Sequence, residues 1–548
     1  MFNTQDISAF CLSNLTTPFL IVLAWIFLDF IGILSPEKIK NLPSVPGFPI
    51  VGNLYQVLSN PAKTYMKWAR KYGDVFQMRF GTRIVVVANS FDSVKELWIK
   101  NRNANNSRPI LYTFHSVVSS TQGFTIGTTP YGDSYKRKKK IVATTLNKKN
   151  VEKLSGLMDQ ECTNMFKRIE VEKAIIDKCS KDKDIDLFKL LQGFVLRVSL
   201  YITYGYLVKV EHTDKCKLFD EITHVENIIV RLRGHSSNLQ DYLPILRFNP
   251  FGEKSQQAND FRDRRDTYMS KFINDLKLKM EKDEDYKDSI VSKSLRGHPD
   301  FPTVTEAELK SVCLTMVSAG LDNTPLVLNH IVGHLSQPEY GERLQTIAIN
   351  EILGHYGDLS TAYYRCSEEI EIDYIKALLK EGLRYFSVLP TSLPRSTTQD
   401  IIYKNAVIPK GTILFMNTFA ANHDSKHFEN PFLFEPSRYL TEDYKMKVND
   451  EGTNSFTFGA GARMCAGSYL ANKEMYIALT RLIILYHIKP PKDLKNNLME
   501  LDPFKLNSVP DSVAIEPSVY KVRLEKRDPQ LFDILIGQNN PQASHQEV

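Results

Sequence analysis

Paired cysteines are missing from this sequence: seven cysteines stand at 11, 162, 179, 216, 313, 366 and 465, odd in number and without close spacing. That pattern excludes a disulfide framework and a cysteine zinc site, and it fits a reducing compartment. Charge of one sign is lacking too, because 69 Lys and Arg stand against 63 Asp and Glu, and a net +6 over 548 residues is no nucleic-acid signature. There is no internal repeat, no Gly/Ser/Pro-rich linker after residue 52 and no convincing nucleotide-binding glycine fingerprint. With 43% hydrophobic and 24% charged residues the composition is that of a globular protein, so disordered and low-complexity readings fall away and one large unit is expected. Long apolar runs are absent apart from one, which excludes a polytopic membrane protein.

That run lies at the start. Between Ser8 and Leu34 the only formal charge is Asp29, and Pro18 to Leu34 is apolar enough to cross a bilayer. No Lys or Arg precedes it, whereas Lys38 and Lys40 follow, so the run reads as a transmembrane anchor (residues 1–34) with the rest of the chain cytosolic. A cleaved secretory signal is the alternative, disfavoured by the missing basic n-region. Residues 35–53 carry Pro43, Pro46 and Pro49 with Gly47 and Gly52 and read as a stiff, bent hinge. Residues 54–548 form the remaining domain.

Within that domain, Val75 to Ala88 reads as a β-hairpin broken at Gly81-Thr82, and Ile401 to Phe415 as a second sheet. Apolar residues at helical spacing mark segments near 61–72, 92–102, 135–170, 186–206, 258–282, 305–336, 342–355, 372–387 and 468–486. The fold class is mainly α with small β-sheets, and the residues from Gln530 onward read as a frayed tail.

The densest chemical signal is F-x-x-G-x-R-x-C-x-G, carried by Phe458, Gly461, Arg463, Cys465 and Gly467. On average composition such a match is expected in about one chain in ten thousand of this length. Gly459 and Gly461 permit a tight loop that approaches a flat ligand. Cys465 lies just before a helix expected from Ser468, whose amides favour a thiolate. Arg463 can pair an anionic group on the same ligand and Phe458 can pack over it. A lone cysteine is more often a buried filler, but these neighbours reverse that expectation.

This segment resembles the heme-thiolate loop of the cytochrome P-450 superfamily. Glu381 and Arg384 are similar to that family's E-x-x-R, and Arg438 to the arginine that completes its structural triad. Arg395 is similar to the arginine that pairs a heme propionate. Ala319, Gly320, Asp322, Asn323 and Thr324 resemble the oxygen-activating helix, with Asn323 where the family carries Thr; Asn orients a water but supplies no ionisable proton, which leaves Thr324 as an alternative. Pro325 should kink that helix. Tyr135 and Lys139 match imperfectly the family's Trp and Arg for the propionates, and the run Lys136 to Lys140 offers a basic patch to an acidic electron donor, or simply a solvated helix face.

The resemblance implies a single P-450-type domain binding heme b through Cys465, anchored in the endoplasmic reticulum membrane, and taking electrons from NADPH-cytochrome reductase. It implies oxygen insertion into C–H bonds. A narrower similarity, in Ser107 to Pro109, Leu111 to Gly127, Cys313 to Asp322 and Met464 to Asn472, is to the fungal phenylacetate hydroxylases, which act on phenylacetate or 3-hydroxyphenylacetate on the way to homogentisate. It implies that Tyr112, Phe114, His115 and Phe124 fold over the heme, with His115 or Arg108 near a substrate carboxylate; core packing is the competing reading. Two other functions stay open: a monooxygenase for another small aromatic or a lipid, and a heme-thiolate isomerase or dehydratase that needs no reductase.

Overall fold

The computed structural model describes residues 36–121, 123–179, 183–207, 217–232, 234, 238–248, 253–448, 455–510 and 512–537. The expected anchor, residues 1–34, lies outside them. Ten longer helices carry the domain: α1 (Pro61–Tyr72), α2 (Asp133–Thr145), α3 (Ser155–Cys179), α4 (Phe188–Tyr204), α5 (Lys217–Arg231), α6 (Glu253–Glu281), α7 (Glu306–Leu335), α8 (Tyr340–Tyr356), α9 (Asp373–Phe386) and α10 (Ser468–Leu485). Their ends follow local chemistry. Asn60 caps α1 and Pro61 takes its first turn, while Thr305 and Glu308 form a reciprocal capping box at the start of α7.

α7 is the central helix, packed against α2, α4, α8, α9 and α10. Among the described residues it is the one helix long and apolar enough to cross a membrane, but its apolar stretch is mostly buried inside the domain. Pro325 sits inside it without ending it.

Among the described residues, three small sheets complete the fold. Strands β1 (Val75–Phe80) and β2 (Arg83–Ala88) pair as the expected hairpin. β7 (Ile413–Met416) adds parallel to β2, and β4 (Arg395–Ser396) antiparallel to β7. The second expected sheet therefore divides: β5 (Ile401–Tyr403) and β6 (Ala406–Ile408) make a separate hairpin, while β7 joins the first sheet. β3 (Asp184–Ile185), β9 (Val522–Lys526) and β8 (Tyr486–Lys489) form the third.

Two expectations are corrected. The helix expected over 135–170 is three helices, because Asn147 caps a new one at Lys148–Glu152 by accepting from the Asn150 amide. The tail is not frayed at Gln530, since Phe532, Leu535 and Ile536 pack into the core. The proline-rich segment is bound along β1. The Gln77 side chain accepts from the Ile39 amide at 2.8 Å and donates to the carbonyls of Ile39 and Leu42 at 2.8 and 2.7 Å. Its main chain bonds Pro43 and Val45.

Candidate functional site

The cysteine loop runs from Phe456 to Gly467 and is shaped by its glycines. Gly461 has φ 61°, and a Cβ there would lie 2.0 Å from the Trp98 carbonyl, so only glycine fits. The Cys465 amide donates to Phe458 O at 2.9 Å, which closes the loop one turn before α10. Cys465 is solvent-accessible, yet protein surrounds it closely enough that burial pushes its thiol up while the Gly467 amide pulls it back in part.

The middle of α7 lies close to this loop, since Ile126 bonds to both Thr315 and Arg463. Although this is a core helix, Ala319 is exposed and Thr315, Gly320 and Asn323 are half-buried, whereas Asp322, Thr324 and Pro325 are buried. Residues 315, 319 and 323 share one face, so the accessible positions form a stripe of small and polar side chains along an otherwise buried stretch of helix. The Asn323 amide nitrogen donates to Ala319 O at 2.9 Å, and Gln192 on α4 donates to Asp322 at 3.0 Å.

One edge of the site is strongly cationic. Arg108 donates to Leu393 O and Pro394 O at 2.6 and 2.7 Å, Arg395 to Asn105 O at 3.1 Å and to Ala460 O, and Arg463 to Asn106 O and Thr129 O at 2.7 and 2.8 Å. No carboxylate pairs with any of the three among the described residues. Burial brings Arg463 down to about 10, burial and Arg463's charge bring Arg395 to about 9, and burial with both neighbours takes Arg108 well below its usual range. Arg463 stacks on the Tyr135 ring at 3.5 Å, and Lys139 donates to Ala462 O at 2.7 Å. Buried cations left without an internal acid fit a flat ligand with anionic groups on one edge.

Of the residues read as substrate contacts, Arg108, Phe114 and His115 border one small cavity. Arg108 joins the arginine cluster. Both His115 ring nitrogens are engaged by main chain, Nδ1 accepting from the Leu111 amide at 2.9 Å and Nε2 meeting Thr128 O at 3.1 Å, so this ring clips its own loop. Phe114 and Phe124 stand edge-on to it at 5.6 and 4.6 Å, while Tyr112 lies under Arg247. Leu111, Leu232, Leu393 and Pro394 line the same cavity.

Far from the cysteine loop in sequence, Glu381 takes two bonds from Arg384 at 2.8 and 2.9 Å and two from Arg438 at 3.1 Å. The basic run does not form one exposed patch: Lys138 is buried, Arg137 pairs with Glu308 at 2.7 Å and Lys139 faces Ala462, leaving Lys136 and Lys140 exposed. Lys138 was not singled out by sequence, although helical spacing puts it on the buried face of Tyr135 and Val142.

The cytochrome P450 family model matches residues 42–515, and this decides the family. The chain belongs to the cytochrome P450 family. It is 41% identical over 508 residues to a phenylacetate 2-hydroxylase of Emericella nidulans, covering 93% of this chain and 94% of that protein. It is 36% identical over 512 residues to a 3-hydroxyphenylacetate 6-hydroxylase of the same organism, covering 91% and 93%. A cytochrome P450 monooxygenase of Mycosarcoma maydis is 33% identical over 502 residues, covering 90% and 89%. The P450 family implies heme b with a cysteine thiolate ligand, dioxygen and a redox partner.

Proposed function

We propose that this P450 hydroxylates a small aromatic acid, phenylacetate at its 2-position or 3-hydroxyphenylacetate, in aromatic catabolism towards homogentisate. The observation that carries the heme reading is the accessible Cys465 two residues from buried Arg463, with buried Arg395 and half-buried Arg108 beside it and no acid paired to any of the three among the described residues. Cys465 would hold the heme iron through its thiolate, with Phe458 and Gly459 in the loop beside it. Arg395, Arg463 and Arg108, with Tyr135 and Lys139, would hold the anionic edge. When bound, a thiolate-ligated heme supplies an oxidant able to insert oxygen into C–H bonds. Ala319 and Gly320 leave room over the cysteine, Asp322 and Asn323 orient water, and Thr324 is a further hydroxyl one residue on. Phe114 and Phe124 supply ring faces for an aryl group.

Support for the substrate comes from the two Emericella nidulans relatives, each alike along nearly the whole chain. Electrons would come from NADPH and a separate reductase, approaching the depression that Arg102, Lys136, Lys139 and Lys140 border beside Met464. A single-pass anchor in the endoplasmic reticulum membrane fits the clamp at Gln77. With Ile39 already bound, at most four residues, about 14 Å of extended chain, separate the apolar run from the domain. The same segment exposes Phe48 and Tyr55 in edge contact at 6.4 Å, as suits a lipid interface.

The test is product analysis after membranes carrying the protein and a reductase receive NADPH, oxygen and phenylacetate. Appearance of 2-hydroxyphenylacetate is expected, and Cys465→Ser should abolish both product and the thiolate-type carbon monoxide spectrum. A normal spectrum with phenylacetate untouched sinks the substrate reading. Conversion of a substrate without NADPH would favour the isomerase or dehydratase that Asn323 leaves open.

A further inference from the structure

Residues 124–129 are held by several elements at once. Arg463 donates to Ile126 O at 3.4 Å and to Thr129 O at 2.8 Å, and Thr315 on α7 accepts from the Ile126 amide at 3.0 Å. Ser311 on α7 donates to Phe124 O, and His115 meets Thr128 O. The remaining hold is Lys138 on α2, only 3% exposed. Its Nζ lies 2.9 Å from Phe124 O, 2.7 Å from Thr129 Oγ1 and 3.4 Å from Ser311 Oγ.

All three partners act as acceptors. A carbonyl has no hydrogen, Ser311 gives its own to Phe124 O, and Thr129 gives its own to Thr125 O at 2.7 Å or Phe124 O at 3.1 Å. The site therefore takes three N–H donors. An ammonium supplies them, whereas a free amine has two and turns a lone pair towards an acceptor. The charges facing Lys138 are Glu308 from α7, already bonded to Arg137 of α2, and Arg463 from the cysteine loop; His115, across the segment, is occupied by main chain. What the segment positions is functional ground: Phe124 and Ile126 are half-buried, and Arg463 stands two residues from Cys465.

We propose that Lys138 is a positioning residue, whose ammonium holds residues 124–129 in the shape that receives ligand over Cys465, and that ligand affinity falls when this ammonium is neutralised. The inference rests on the heme-thiolate reading above and not on the identity of the substrate. Burial, opposed by Glu308 and reinforced by Arg463 and Arg137, brings Lys138 down to about 8, which puts the change at mildly alkaline pH.

The experiment titrates the full-length holoprotein with phenylacetate and, separately, with 4-phenylimidazole between pH 7 and 9.5, reading Kd from the Soret shift. The wild type should keep a constant Kd to about pH 8 and then lose up to about tenfold per pH unit, as one required proton dictates. Lys138→Arg, charged throughout, should be flat and close to the wild type at pH 7 with unchanged heme content. Lys138→Met should bind weakly at every pH. A flat wild-type profile, a Lys138→Arg profile that still bends near pH 8, or a Lys138→Met Kd within twofold of the wild type at pH 7 each overturns the proposal. Should phenylacetate give no shift while 4-phenylimidazole follows this pattern, the substrate reading fails and Lys138 keeps its role.

Discussion

Buried arginine is handled in opposite ways at two places in this P450. Arg384 and Arg438 share the Glu381 carboxylate, with the Glu435 amide donating to it as well, so both have a counter-charge inside the protein. Arg108, Arg395 and Arg463 have main-chain carbonyls alone, and burial holds their pKa values down. A closed set keeps its counter-charge within the fold, whereas the open set would take its balancing charge from the ligand proposed above. The difference teaches that burial of a cation does not by itself mark structure or function; the location of its counter-charge does.

Removing the shared acid should have the largest effect. Glu381→Ala strands two guanidiniums, one of them fully buried, and is expected to cost about 3–5 kcal/mol, enough to abolish folded holoprotein. The check is soluble yield and the carbon monoxide spectrum; a normal yield would show that Arg384's carbonyl partners, Asn422 and Pro431, suffice.

Acid should act next, through three imidazoles packed among the rings near this triad. Burial lowers His330 and His423 to about 3, with Arg384 adding to His423, and takes His334 well below its usual range. The folded state thus refuses protons that the unfolded chain accepts near pH 6.5, and stability present above that pH is lost as pH falls towards 3. Between pH 7 and 6 the three together should cost about 2 kcal/mol, seen as a lower denaturant midpoint. An unchanged midpoint would mean that the unfolded chain keeps these rings from water.

The open cluster should answer differently. Arg395→Met loses its bonds to Asn105 and Ala460 but also relieves burial and the charge of Arg463, so the heme-free domain should change by less than about 1 kcal/mol. Heme transfer to an apoprotein acceptor should instead quicken by about tenfold, the loss of one charge-assisted contact. Equal losses of apo stability and heme retention would place Arg395 with the structural arginines.

How much of this was legible in the sequence follows from how local each feature is. The cysteine loop was readable because its glycines, arginine and cysteine lie within ten residues, and the capping box of α7 and the β1–β2 hairpin are equally local. Glu381 and Arg384 are one helical turn apart, and a resemblance added Arg438. The place of Arg108 beside Arg395 and Arg463 was not legible, because its partners, Leu393 and Pro394, lie 285 and 286 residues away and only tertiary structure brings the three arginines together. Lys138 was hidden in a basic run whose composition says surface, although its helical phase says core. The hold of Gln77 on residues 39–45 was not legible, since a bracket across 38 residues leaves no local trace.

The smallest effect expected concerns a carboxylate held in a third way. Asp322 is buried on α7 with the neutral amide of Gln192 donating to it at 3.0 Å, and the next residue, Asn323, spends an N–H on Ala319 O. A threonine hydroxyl at 323 reaches the same carbonyl or turns away from it, where it adds an O–H that the amide lacks. Asn323→Thr should therefore leave the spectral Kd unchanged and lower hydrogen peroxide released per NADPH consumed by about two- to fivefold, a proton-delivery effect. If peroxide release stays the same while Gln192→Leu raises it, proton delivery depends on how Asp322 is held, and the amide at 323 serves the helix alone.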